Sequence, residues 1–124
     1  MKKYLIFRTD RVGDFLFSLK LIRVIKSNYP QSEITIVSSE KNYKYINTFK
    51  DIDKVILLKN NFFFKIKLIF FLRKEKYDSV IVHDGKNRSK FISFFLEYEK
   101  RTICITDLIN TQIDIIKKAC AEID

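Results

Sequence analysis

Tyr4-Leu5-Ile6-Phe7-Arg8-Thr9-Asp10-Arg11-Val12-Gly13-Asp14-Phe15 runs from an apolar strand through a polar turn into a helix. The turn holds two Arg, two Asp and one of the chain's two Gly residues. A carboxylate at a strand-to-helix junction, beside fixed cations and a glycine that lets backbone approach a ligand, can bind a sugar hydroxyl or a phosphate, or remove a proton. The stretch lacks Gly-x-Gly-x-x-Gly, so it is no dinucleotide fingerprint, and it is no P-loop either.

Outward from this turn, short apolar runs alternate with helical patterns along the chain. The strand at 4–7 leads into a helix starting at Asp14 or Phe15, with an apolar stripe of Phe15, Leu16, Leu19, Ile22, Val24 and Ile25. Asn28-Tyr29-Pro30 ends that helix. Further strands are predicted at 33–37, 54–58, 79–83 and 101–106. Helices are predicted at 62–75, 88–97 and 108–121, and a short helix or helical turn at 41–49. Strands this apolar, each followed by a helix, predict an α/β fold: a three-layer, Rossmann-like domain with a mainly parallel sheet of five strands. In such sheets ligands collect at the carboxyl ends of the strands, near a switch in strand order. The turns after strands one (8–14) and four (83–88) are the richest in functional groups, and they share one crevice if those strands are neighbours.

A chain of 124 residues with one Pro and two Gly has the size of one domain and no spacer composition. Its 12 Phe and 6 Tyr supply ample apolar surface for a core, which excludes disorder. The net charge of +9 is uneven, about +10 over residues 1–100 and −1 over 101–124, and suits an anionic partner. Genome bias toward Lys, Ile, Asn and Phe accounts for that charge equally well. Cys104 and Cys120 have no metal-ligand spacing, and Cys104 reads as a small core residue in a reducing compartment. The apolar run before Arg8 is too short for a signal peptide, which places the expected protein in the cytoplasm.

At the first turn, Asp14 reads either as a plain N-cap or as a general base held at a helix terminus. Arg8 and Arg11 suit paired hydrogen bonds to phosphate or carboxylate, and Asp10 reads as a turn former. At the second, Asp84 suits substrate hydroxyls or a solvated turn. Lys86, Asn87, Arg88, Ser89 and Lys90 open a helix whose N–H groups and Ser89 hydroxyl can hold a phosphate. Cations at a helix start oppose its dipole unless an anion binds nearby. His83, the only histidine, is expected to satisfy a local hydrogen bond in preference to acid or base work.

These residues resemble the amino terminus of the family 9 glycosyltransferases, the lipopolysaccharide heptosyltransferases and their relatives. The likeness lies in Arg8, Gly13 and Asp14, the helix with Leu16, Leu19 and Ile22, and Tyr29-Pro30 before the next strand. A second match is Tyr77-Asp78-Ser79-Val80-Ile81, followed by Gly85 and Ser89, so that it spans residues 3–105. The resemblance implies half of a GT-B architecture, in which two Rossmann-like domains face each other. It also implies an inverting, metal-independent transfer of a heptose-type sugar from a nucleotide sugar to a lipopolysaccharide or other lipid-linked saccharide, with no cofactor. Asp14 matches the position proposed as general base, and Arg8, Arg11, Gly13, Asp84, Gly85 and Ser89 fall at the acceptor side. The chain departs from the family in Leu19-Lys20, where Leu-Pro is usual, and in Val82-His83-Asp84-Gly85, where Asp-x-Gln-Gly is common. Its 124 residues correspond to the acceptor-side domain, and the donor-binding domain is expected to be absent or separate.

Residues 59–76 pack a Phe run between basic flanks, and the apolar part is too short to span a bilayer. They read as a sheet-covering helix with an aromatic core face or as an interfacial helix on anionic membrane. Other function classes fit less of the chain. A non-catalytic anion- or nucleic-acid-binding module accounts for the charge, yet no nucleic-acid motif appears. A response-regulator-like domain needs an acidic phosphoacceptor after strand three, where Leu57-Leu58-Lys59 stands. An inactive remnant of a transferase is the remaining alternative.

Overall fold

The computed structural model describes residues 2–9, 12–59, 61–84 and 86–103, with Val12, Asp14 and Ile103 described through their backbone only. The first strand, β1, covers Lys3–Phe7, and its side chains alternate between two apolar environments. Tyr4 and Ile6 enter one buried cluster, Leu5 and Phe7 the other. A strand buried on both faces must lie centrally, and β1 does: it pairs in parallel with β2 (Glu33–Ser38) and β4 (Lys76–Val82). With β3 (Lys54–Leu57) and β5 (Glu97–Ile103) at the outer positions, the sheet is parallel throughout in the order β3-β2-β1-β4-β5. The chain order therefore reverses between β1 and β4.

Helix α1 (Val12–Asn28) covers one face, where Phe15, Leu19, Ile22 and Ile25 pack with Ile34 and Ile36 of β2. The short α2 (Tyr43–Ile46) adds Ile46 to the same layer. On the other face α3 (Phe62–Arg73) lays Leu68 and Leu72, and α4 (Asn87–Phe94) lays Ile92, against Val37, Val80 and Val82. The Rossmann-like α/β architecture expected from the alternating pattern is the one observed.

The differences lie at element ends. Strand β5 begins at Glu97, four residues earlier than its apolar run predicts, because Glu97-Tyr98-Glu99-Lys100 pairs as a charged strand that lacks the signature of a buried one. Strand β4 likewise starts at Lys76, with the polar Asp78 accepting a hydrogen bond from the Lys3 backbone N–H at 2.6 Å. Within 41–49 the helical turn is α2, four residues long, and Asn42 before it spends its side chain on Ser39 N–H and the Arg8 carbonyl and gives the helix no side-chain cap. The predicted strand residues 104–106, Cys104, Cys120 and the predicted helix at 108–121 lie outside the described residues.

At the amino ends of the strands Lys3 Nζ meets Glu75 Oε2 at 2.6 Å, tying β1 to the turn between α3 and β4. Hydrogen bonding to Lys3 lowers the Glu75 carboxyl from its ordinary value of 4.5, and the same bond raises the Lys3 ammonium. A depressed carboxyl contributes stability above its unfolded value that is lost as pH falls through the folded one. The melting-temperature difference between wild type and Glu75→Gln is therefore expected to be small and constant near neutrality, since both groups reach solvent, and to vanish on acidification through the carboxylate range. Thermal melts by circular dichroism across that range check this; a difference that persists below it sinks the assignment.

Candidate functional site

The switch in strand order lies between β1 and β4, and the two turns leaving their carboxyl ends are bonded into one structure. Phe7 O accepts from both the His83 and Asp84 N–H groups at 3.1 Å, and Val37 O accepts from Arg8 N–H at 3.0 Å. Asn42 Nδ2 donates to Arg8 O at 2.8 Å, which brings the turn after β2 into the same assembly. Backbone groups beyond a strand end have lost their ladder partners, and here each finds another across the crevice floor.

Arg8 has no exposed surface. Its Nε donates to Ser18 Oγ at 3.0 Å and its Nη1 to the His83 carbonyl at 3.1 Å, so the guanidinium joins β1, α1 and β4 from inside. Ser18 Oγ also lies 2.6 Å from His83 Nδ1. An arginine Nε can only donate, so Ser18 Oγ accepts from Arg8 and bridges the guanidinium to the imidazole. The expected local role of His83 is what this geometry shows. Arg8, expected to reach an anionic ligand, braces the turns through these bonds, as a buried guanidinium must meet acceptors around it.

Asp84 is the second tie. Its Oδ2 accepts from Thr9 N–H at 3.0 Å, from Thr9 Oγ1 and from Ser89 Oγ at 2.8 Å, while Oδ1 accepts from Lys86 N–H at 3.0 Å. The carboxylate thus clamps the β1 turn to the β4 turn and to the first turn of α4. Arg88 closes the same seam, with Nη2 on Thr9 O at 2.9 Å and Nε on Thr9 Oγ1 at 3.3 Å. Ser89, expected to hold a phosphate, is buried and gives its hydroxyl to Asp84. Asp84 and Ser89 shape the crevice wall, and their hydrogen-bonding capacity is largely used there.

Above this floor stands the amino end of α1. The helix begins at Val12, so Asp14 is its third residue and not the N-cap, which by definition precedes the first helical residue. The helix dipole still favours a negative charge in that first turn. Asp14 also sits four residues before Ser18, one turn away along α1. Gly13 is exposed, and a Cβ placed on it would meet no atom within 4 Å. Nothing among the described residues requires glycine there, so the backbone at Gly13 is open to a ligand. Arg11 and Gly85 lie outside the described residues. Lys41 and Lys86, both exposed, and the Arg88 guanidinium make the surrounding loops basic.

Sequence reasoning missed Thr9, Ser18 and Asn42 as parts of this assembly, and it placed Arg88 at the crevice without its bonds to Thr9. Ser18 had a signal: it is a polar residue on the stripe otherwise formed by Phe15, Leu19, Ile22 and Ile25, where an unpartnered hydroxyl would be costly.

The fold is shared with solved sugar transferases. No family model matches the chain, and no curated protein matches its sequence. A family 9 glycosyl transferase from Veillonella parvula superposes with a TM-score of 0.79 at 15% identity, over 97% of this chain and 42% of that one. The E. coli heptosyltransferase WaaC with ADP gives 0.78 at 14% identity, over 96% and 48%, and E. coli ADP-heptose heptosyltransferase II gives 0.69 at 24% identity, over 83% and 30%. The chain therefore spans less than half the length of each of these structures, and what it shares with them is the fold of that part.

Two substitutions separate the clamp from the open turn. Asp84→Ala strands donors from Thr9 and Ser89 and is expected to destabilise the fold by about 2–3 kcal/mol, a drop of roughly 10 °C or more in Tm. Gly13→Ala is expected to stabilise the free chain by about 0.5–1 kcal/mol, because alanine suits a helix and has room here. Chemical denaturation measures both. A loss of stability in Gly13→Ala would show that the fold, not a ligand, needs the glycine.

Proposed function

We propose that this chain is the acceptor-side half of an inverting glycosyltransferase, which moves a heptose-type sugar from a nucleotide sugar to a lipopolysaccharide or other glycan acceptor. The observation that carries the proposal is the match of nearly the whole chain to part of family 9 and heptosyltransferase structures, with a braced crevice at the β1–β4 switch point. One of those neighbours holds ADP, and another E. coli WaaC structure holds ADP-2-deoxy-2-fluoro heptose. That supports a nucleotide-sugar donor, which a second, facing domain would hold.

In this reading Asp14 removes the proton from an acceptor hydroxyl as its oxygen attacks the anomeric carbon. The bond from that carbon to the nucleotide diphosphate breaks on the opposite face, so the configuration inverts and the diphosphate leaves with the bonding electrons. The first turn of α1 favours Asp14 as the anion, which a base must be. Open backbone at Gly13 lets the acceptor approach, and Lys41, Lys86 and Arg11 suit phosphates on it. Arg8, His83 and Asp84 hold the two turns in place. A lipid-linked acceptor resides at a membrane surface, which agrees with a cytoplasmic protein that works on the inner face of the membrane.

The test is transfer by the chain joined to, or mixed with, a donor-binding domain, using ADP-heptose and a lipid-linked core saccharide. A product of inverted anomeric configuration is expected. Asp14→Asn should lower turnover on the order of 10²–10⁴-fold while circular dichroism stays unchanged. Retained turnover would remove Asp14 from the mechanism.

A further inference from the structure

Helix α3 is apolar on every side, yet it covers the sheet with only one. Leu68 and Leu72 are buried and Phe64 and Ile69 pack beside them, whereas Phe62, Phe63, Ile66, Phe70 and Phe71 face outward. The exposures are large, 75% for Phe63 and 65% for Phe70. A surface helix normally presents polar residues on that side, and a helix apolar all round is normally covered. The neighbouring α4 continues the surface with Phe91 and Phe94, and Phe95 follows at its end, all exposed. Between the helices Phe62, Ile66, Phe70, Phe91 and Phe95 line a shared apolar groove of about 270 Å³. Structure thus joins two segments that lie well apart in sequence into a single aromatic face.

The charge around this face identifies its occupant. Residues 59–74 and 86–95 contain eight Lys or Arg and no Asp or Glu. Lys59, Lys67 and Lys74 are exposed, and lysines on such a helix can extend their charged ends while their stems follow the apolar surface. A second copy set against this face would bring the same cations into opposition. An anionic bilayer accepts both features, rings at the headgroup boundary and cations on its phosphates. No helix among the described residues is long and apolar enough to cross a membrane, which is consistent with a surface that lies on one.

We infer that the α3–α4 face docks the protein on an anionic lipid bilayer. Helix α4 links this face to the crevice, because Arg88 and Ser89 in its first turn bond to Thr9 and Asp84 while Phe91 and Phe94 point outward. Docking sets the β1–β4 crevice close to the lipid surface. That consequence rests on the sugar-transfer reading, whereas the docking itself rests on the face.

Flotation of the full chain with vesicles, without any sugar or donor, tests docking independently of transfer. The wild type is expected to float with phosphatidylglycerol-containing vesicles, much less with pure phosphatidylcholine, and less as salt rises. The double variant Phe63→Ser/Phe70→Ser removes exposed rings only, so its circular dichroism and melting should match wild type. Its vesicle affinity should fall about tenfold or more. Failure of the wild type to float with anionic vesicles overturns the inference, as does flotation unchanged in the double variant. Self-association that the double variant abolishes, without vesicle binding, would assign the face to a second copy instead. Sugar transfer observed beside failed flotation would leave the transfer reading standing and remove only the docking surface.

Discussion

A guanidinium with no exposure at the end of the central strand is the constraint on which the rest of the crevice depends. Burying a cation forfeits its hydration, and the loss is tolerable only if its donors meet fixed acceptors. Arg8 meets them in Ser18 of α1 and the carbonyl of His83 after β4. Each acceptor belongs to a different element, so satisfying one side chain fixes the position of α1 over β1 and of the β4 turn beside it. Asp84 repeats the logic in the opposite sign, a carboxylate that collects Thr9, Lys86 and Ser89 donors from three segments. Two charged residues of short sequence context thereby set the floor and one wall of the crevice.

This division of labour changes what the loop residues mean. In the sequence Arg8, Asp84 and Ser89 look like ligands, because charged and hydroxyl groups beside a glycine are what a ligand site needs. In the fold Arg8 is bonded to Ser18 and the His83 carbonyl and Asp84 to Thr9, Lys86 and Ser89, while Gly13, Lys41 and Lys86 stay exposed. A rigid scaffold that positions a few open groups is the usual relation between strand ends and loops in parallel sheets. The crevice is consequently built to hold its shape before any ligand arrives.

The legible parts of the fold were those in which one residue pattern had one physical outcome. Tyr4 to Phe7 alternate between two buried faces and can only be a central strand, and the run from Phe15 to Ile25 ends at a Pro, so β1 and α1 follow from the chain itself. Glu97 to Lys100 pair as a strand although their composition is that of a solvated segment, because the ladder to β4 and not side-chain burial recruits them. Arg8 was readable as functional but not as buried, since burial depends on Ser18 and on a turn 75 residues away. In α3 the composition was ambiguous for a different reason. With apolar residues at positions all round the helix, periodicity could not choose which side meets the sheet, and only packing against Val37, Val80 and Val82 selects Leu68 and Leu72.

That selection has a consequence for the molecule as a whole. Leu68 and Leu72, with Phe64 and Ile69 beside them, fill the space between α3 and the sheet. The remaining aromatic residues of α3 and those of α4 lie on the side away from the sheet, and their number exceeds what scattered surface residues need. Lysines spaced among them keep such a surface from being wholly apolar and make it basic, while Arg73 at the groove edge pairs with Glu97. Helix α4 then carries two commitments on opposite sides, polar contacts to the strand-end turns and rings to the exterior. A surface that engages the exterior through α4 is mechanically continuous with the crevice wall, because Arg88 and Ser89 fix its first turn to Thr9 and Asp84.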